Sequence, residues 1–78
     1  MEEKIKLIWD FRGPDCKKTA KHYKIHLTEF LRTNNSVYFD FDDEKITEHH
    51  HVVYLTVLKS NMKDFRDKLK PNRGEIAS

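Results

Sequence analysis

The five histidines of the chain fall into two groups whose spacing suits metal binding. His22 and His26 are four residues apart, so on a helix they would be neighbours on one face. His49, His50 and His51 are consecutive, and in a strand the first and third of these would point to the same side. Imidazole nitrogens bind zinc and other transition metals. We therefore take His22, His26, His49 and His51 as a candidate metal site, provided that the two groups lie at the same end of the molecule.

A second set of residues suggests acid–base chemistry. Asp10 and Arg12 end an alternating apolar segment, just before a predicted helix that carries His22 and His26. A carboxylate, a guanidinium and two imidazoles could transfer protons and hold an anion in a cleft between helix and sheet. This is the catalytic alternative, an enzyme of the dimeric α+β barrel type that acts on a small molecule. Since no spacing typical of a known reaction accompanies these residues, we expect a protein without catalytic activity.

One long helix must position the first histidine pair. Its apolar residues recur at steps of three and four over the range 15–33, and the range 33–36 contains the residues that should end it. The apolar residues are Cys16, Ala20, Tyr23, Leu27, Phe30 and Leu31. This spacing gives the helix one apolar stripe, which needs a sheet to cover it.

Three segments alternate between apolar and other residues and predict strands. The first has Ile5, Leu7, Trp9 and Phe11 on the side facing the helices, and the second has Val37, Phe39 and Phe41 there. The third runs from about residue 50 to 58 and is apolar on both sides, which indicates a central strand. We interpret residues 43–48 as a polar connection between the second and third strands.

A second helix is indicated by Met62, Phe65 and Leu69, and Pro71 should end it. Ser60 and Asn61 are its candidate N-caps. Residues 71–78 then form a tail or a short strand at the edge of the sheet. The whole chain, residues 1–78, is interpreted as one domain, since a chain this short supports only one small core.

The resulting order, β-α-β-β-α with an optional final strand, resembles the ferredoxin-like split β-α-β fold. The resemblance implies a two-layer α+β sandwich, with an antiparallel sheet and two helices on one face. It does not imply a function, because many unrelated activities use this fold.

The other face of that sheet would carry an apolar patch, which predicts an interface. Alternation gives the patch five residues: Ile8, Tyr38, Val52, Tyr54 and Leu58. A short or missing final strand would also leave the first strand as an open edge. Both features favour a homodimer. The alternative is a monomer whose C-terminal tail covers that edge.

Composition limits the remaining classes of function. The net charge is only +2 and both signs are interspersed, so we expect no nucleic-acid binding. No apolar run is long enough to span a membrane. A single cysteine excludes an internal disulfide and suits the reducing cytoplasm. The sequence thus predicts a small cytoplasmic homodimer, a binding or regulatory module whose ligand is unknown and could be a small molecule or a transition metal.

Overall fold

The computed structural model describes residues 3–35 and 37–77, which form two helices and a four-stranded sheet. In chain order the elements are β1 (Lys4–Arg12), α1 (Cys16–Thr33), β2 (Asp40–Thr47), β3 (His50–Leu58), α2 (Lys59–Leu69) and β4 (Arg73–Ile76). The strand order is β2-β3-β1-β4, and all neighbours are antiparallel. This confirms the α+β two-layer prediction and is consistent with the ferredoxin-like topology. Ser36, in the predicted helix stop, and Ser78, in the predicted tail, lie outside the described residues.

The core lies between the helices and the face of the sheet that alternation assigned to them. Ile5, Leu7 and Trp9 of β1 are buried, and their register partners on β3 are the buried Val57, Leu55 and Val53. α1 covers them with Cys16, Ala20, Leu27 and Leu31, and α2 adds Phe65. Both helices therefore form because an apolar stripe at helical spacing meets a strand face at period two.

The two ends of α2 are fixed in different ways. The helix begins at Lys59, earlier than predicted, so its N-cap residue is Leu58, which makes no side-chain cap hydrogen bond. At its C-terminus Lys70 adopts a left-handed conformation, with φ 47°. The carbonyl of Leu69 accepts hydrogen bonds from Trp9 Nε1 at 3.0 Å and from the Tyr23 hydroxyl at 3.3 Å. These two bonds join the end of α2 to the core.

The bounds predicted for the second strand were wrong. β2 covers Asp40–Thr47, so most of the segment interpreted as a connection is strand, and only Glu48 and His49 link it to β3. Ile46 forms a bulge between the paired residues on either side. Val37 and Phe39 are not strand residues as predicted: they precede β2 and are 58% and 44% exposed. β2 tolerates so polar a sequence because it lies at the sheet edge, where one side of its backbone meets solvent.

The tail forms the short fourth strand, which was one of its two predicted forms. This strand covers the otherwise open edge of β1. β4 pairs with β1 from Ile5↔Ile76 to Ile8↔Arg73. Asn72 extends this closure, because its side-chain oxygen accepts a hydrogen bond from the backbone N–H of Asp10 at 2.7 Å. The open edge predicted on β1 was therefore wrong, and β2 and β4 are the outer strands of the described sheet.

Candidate functional site

Two consecutive histidines on β3 point to opposite faces of the sheet, and each meets a carboxylate. His51 faces the helices and lies 2.6 Å from Asp43, measured from Nε2 to Oδ2. His50 faces away from the helices and lies 2.7 Å from Asp10, measured from Nε2 to Oδ1. In both cases the ring nitrogen must donate a proton, since a carboxylate can only accept. These pairs organise the two polar clusters of the structure.

The Asp43 cluster consists of Asp43, His51, Lys21 and Lys24, and it joins β2, β3 and α1. The side chains of His51 and Asp43 are only 4% and 7% exposed. Lys21 and Lys24 on α1 approach the Asp43 carboxylate to 3.2 and 3.1 Å. Burial acts to raise the pKa of Asp43, but hydrogen bonds from His51, Lys24 and Lys21 outweigh it, so this pKa lies far below its ordinary value. Asp43 is therefore a fully ionised link between the helix and the edge strand.

His51 also has an unsatisfied atom. Its Nδ1 is buried and has no hydrogen-bond partner within the described chain. The ring is thus hydrogen-bonded on one side only, through Nε2 to Asp43. The ring is therefore a structural donor, with no second group aligned to relay a proton.

The Asp10 cluster lies on the open face of the sheet and joins β1, β3 and β4. Asp10 receives hydrogen bonds from His50 and from Arg73, the latter at 3.1 Å. Burial raises the pKa of Asp10, but the hydrogen bond from His50 and the guanidinium of Arg73 lower it below its ordinary value. This cluster ties the edge strand β4 to the centre of the sheet.

The structure does not bring together the residues of the catalytic alternative. Asp10 faces away from the helices because it occupies an even position of β1, opposite in parity to Trp9 and Phe11. Arg12 is exposed at the end of the strand, and His22 and His26 are exposed on α1. The sheet therefore separates the Asp10 carboxylate from the two imidazoles, and these residues do not line one helix–sheet cleft in the described chain.

The four predicted metal ligands do not converge either. His22 and His26 do meet, with their Nε2 atoms 3.0 Å apart. His51 is committed to Asp43, and His49 lies exposed in the turn after β2. Within residues 3–35 and 37–77, no group of three or more histidine, cysteine or acidic side chains could hold a metal ion. The four side chains do not all meet because β3 turns His51 inward, under α1, while the helical pair lies on the outer surface of α1.

The apolar patch predicted on the open face is largely covered. Ile8 and Val52 are each only 5% exposed, and Tyr54 and Leu58 are half-buried. Lys6 lies over the Tyr54 ring, 4.3 Å from its centroid. Tyr38 does not join the patch, since its ring contacts that of Phe41, which packs against the core. Neighbouring side chains of the central strands therefore bury the residues that alternation assigned to an interface.

Exposed apolar side chains occur elsewhere. The large ones in the described chain are Ile25, Val37, Tyr38, Phe39, Ile46 and Ile76. Val37 borders a groove of about 320 Å³ between the helices, whose apolar lining is completed by Phe30 and Phe65. Ile76 borders a second groove, of about 350 Å³, between α2 and β4. A third groove, of about 620 Å³, lies along α1 and is lined by residues that include His22 and Ile25.

Asp43 and Arg73, one member of each cluster, are not among the candidate residues that the sequence predicts. Asp43 falls in the predicted polar connection, although alternation continued from Phe41 places it on the helix face. Arg73 falls in the segment predicted as a tail or a short edge strand. No signal in the sequence reveals its contact with Asp10, which depends on the register of β4.

Neither a search for membrane-spanning helices nor a comparison with known proteins assigns a function to the chain. No helix in the described part of the chain is long and apolar enough to cross a bilayer. The chain matches no protein-family model, no curated protein and no solved structure.

Proposed function

We propose that the protein is a non-catalytic binding or regulatory module of the cytoplasm that acts as a homodimer, with two copies joined through the outer edges of β4. The separation of the candidate acid–base residues supports a role other than catalysis. The clusters around Asp10 and Asp43 link strands and helix to one another, which is a structural use of charged side chains. We propose the cytoplasm as its location because the single cysteine is buried and forms no disulfide, as is usual in a reducing compartment.

The backbone of β4 can accept another strand. Ala77 donates its N–H to the carbonyl of Lys4 on β1, at 2.8 Å. Since N–H groups alternate in direction along a strand, residues 73 and 75 also point toward β1, whereas Gly74 and Ile76 point outward. The alternation stops at Asn72, whose N–H donates to the carbonyl of Ile8 on β1 at 2.9 Å. An outward row of this kind is a template for pairing with a second chain.

The charges on β4 are self-complementary. If two β4 strands pair antiparallel about Gly74, Arg73 of each copy lies opposite Glu75 of the other. Both side chains are exposed on the open face of the sheet. Directly opposed charges of unlike sign contribute roughly 0.2–1 kcal/mol per pair. The outer strand β2 offers no such match, because Asp40, Asp42 and Glu44 share one face and would meet their own copies.

The apolar groove between α2 and β4 would contact an isoleucine of the second copy. Its apolar lining includes Ile5, Leu7 and Met62, and Ile76 at its border is 70% exposed. Pairing about Gly74 places Ile76 of each copy opposite Asn72 of the other, next to the partner's groove. The dimer would thus bury two isoleucines that the monomer leaves in water, at a gain of roughly 1.5–3 kcal/mol for each one fully buried. This self-complementary edge is the observation that carries the proposal.

Charge complementation tests the proposal directly. We expect the unmodified protein to sediment as a dimer, and Glu75→Arg and Arg73→Glu each to sediment as a monomer because like charges then oppose. An equimolar mixture of the two variants should restore the dimer, since each edge again meets its complement. Glu44→Arg is the matched control, because it makes the same change of charge on β2 and should remain dimeric.

Circular dichroism of each variant establishes that it is folded before sedimentation is compared. Because Arg73→Glu also loses the bond to Asp10, hydrogen exchange at the backbone N–H of Ala77 establishes that β4 still pairs with β1 in that variant. A monomeric unmodified protein at all concentrations would exclude the homodimer. A Glu75→Arg variant that stays dimeric, or folded variants that do not associate when mixed, would exclude pairing through β4.

A further inference from the structure

His22 and His26 form a pair that neither polar cluster includes. Both side chains lie on the exposed face of α1, one turn apart. Their rings meet nearly edge to face, with centroids 4.7 Å apart and planes at 75°. The Nε2 atoms point at each other and are separated by 3.0 Å. In the absence of a metal this separation is that of a hydrogen bond between the two rings.

The two nitrogens could also share a metal ion once the rings turn so that both lone pairs converge on it. Histidine nitrogens bind first-row metals at about 2.0–2.1 Å, so two nitrogens 3.0 Å apart subtend roughly 94° at the ion. This angle is close to the 90° between neighbouring ligands in square-planar or octahedral complexes and well below a tetrahedral angle. Copper(II) and nickel(II) prefer such geometries, and copper(II) binds more tightly in the usual order of affinities.

The surroundings leave the pair free to bind. Lys21, which precedes His22, directs its amine to Asp43 on β2. Rotation about the side-chain bonds of two exposed histidines is enough to open the contact for an ion. In the described residues no third ligand joins the pair, so water or an added ligand would fill the remaining positions.

We infer that His22 and His26 are a two-nitrogen chelate for a divalent transition metal, with copper(II) preferred and with the two imidazoles in neighbouring coordination positions. The inference is independent of the proposed homodimer, because the pair lies on α1, whereas the dimer uses β4. It assigns a binding site to the outer surface of α1, where the fold itself needs no histidine.

Titration of the full chain with copper(II), followed by calorimetry and electron paramagnetic resonance, tests this inference. We expect one ion per chain, with a spectrum typical of two nitrogen ligands. His22→Ala and His26→Ala should each weaken binding by about tenfold or more, since even partners beyond the ligands change metal affinity by 10–100-fold. The matched control is His49→Ala, which removes an exposed histidine from the hairpin turn and should leave the affinity unchanged.

Three results would overturn the assignment. Alanine variants at 22 and 26 that bind copper(II) as tightly as the unmodified chain would place the ion elsewhere. So would a His49→Ala variant that loses binding. A spectrum with only one coordinated nitrogen would exclude the chelate.

Discussion

Replacing Asp43 with asparagine keeps the shape of the side chain and removes its charge. Three donors then lose their carboxylate: His51, Lys21 and Lys24. The His51 bond is buried on both sides, and a hydrogen bond to a charged group contributes roughly 1.5–3 kcal/mol. The lysines are 55% and 31% exposed, so each contributes only a few tenths to about 1 kcal/mol. We therefore expect Asp43→Asn to lower the free energy of unfolding by about 3 kcal/mol.

Chemical and thermal denaturation at pH 7 measure this loss. For a chain of this size, about 1 kcal/mol corresponds to a shift in Tm of roughly 4–8 °C, so the midpoint should fall by more than about 10 °C. Asp42→Asn is the matched control, because Asp42 binds the same Lys24 at 2.7 Å but is 59% exposed. It should cost much less than Asp43→Asn, since solvent screens an exposed ion pair. If Asp43→Asn and Asp42→Asn lower the free energy of unfolding equally, burial of the Asp43 cluster does not strengthen its hydrogen bonds.

The pH dependence of the same pair of proteins checks the electrostatic origin. The pKa of Asp43 is lower in the folded than in the unfolded chain. Its contribution is therefore complete above the ordinary carboxyl pKa of about 3.9 and is lost as the pH falls through the lower folded value. The difference in unfolding free energy between the unmodified protein and Asp43→Asn should shrink between about pH 5 and pH 2. A difference that stays constant over this range would mean that the charge of Asp43 is not responsible.

Three further substitutions probe the C-terminal end of α2 and the edge of β1. Lys70→Gly should stabilise the fold by about 0.5–1 kcal/mol in urea denaturation, because glycine adopts the left-handed conformation of Lys70 without strain; a loss of stability would contradict this. Trp9→Phe should destabilise by about 2 kcal/mol, since it removes the bond to the Leu69 carbonyl and leaves a gap in the core; an unchanged Tm would refute it. Asn72→Ala should cost about 1 kcal/mol and speed hydrogen exchange at the backbone N–H of Asp10; protection that persists there would show that the Asn72 side chain does not close the edge.

Periodic apolar residues made part of the fold predictable. α1 could be predicted almost to its bounds because its stripe from Cys16 to Leu31 faces the core. β3 could be predicted at both ends because it is central and apolar on both faces. β2 could not, since an edge strand needs apolar residues on at most one side. Its turn at Glu48 and His49 also lacks the glycine or asparagine typical of tight hairpins.

The polar clusters depend on information that a single sequence does not contain. Alternation correctly assigns His50 and His51 to opposite faces, but their carboxylate partners follow from strand register and from the position of α1. The same limit explains the covered patch. Ile8 was correctly assigned to the open face, yet its burial depends on which side chains stand beside it on β3 and β4. Sequence periodicity predicts the face of the sheet to which a side chain points, whereas the side chains of neighbouring strands determine how much of it is exposed.

The position of β1 between β3 and β4 has a consequence for how fast the chain folds. Ile5 pairs with Val57 on one side and with Ile76 on the other, so both neighbours of β1 come from the second half of the chain. α1 and the β2–β3 hairpin can form locally, but the sheet is complete only after two long loops have closed, at an entropic cost. Rates for mixed domains with such distant contacts lie between the microseconds of helical bundles and the seconds of some all-β domains. We therefore expect folding to be limited by the docking of β1, with helix formation in α1 preceding it.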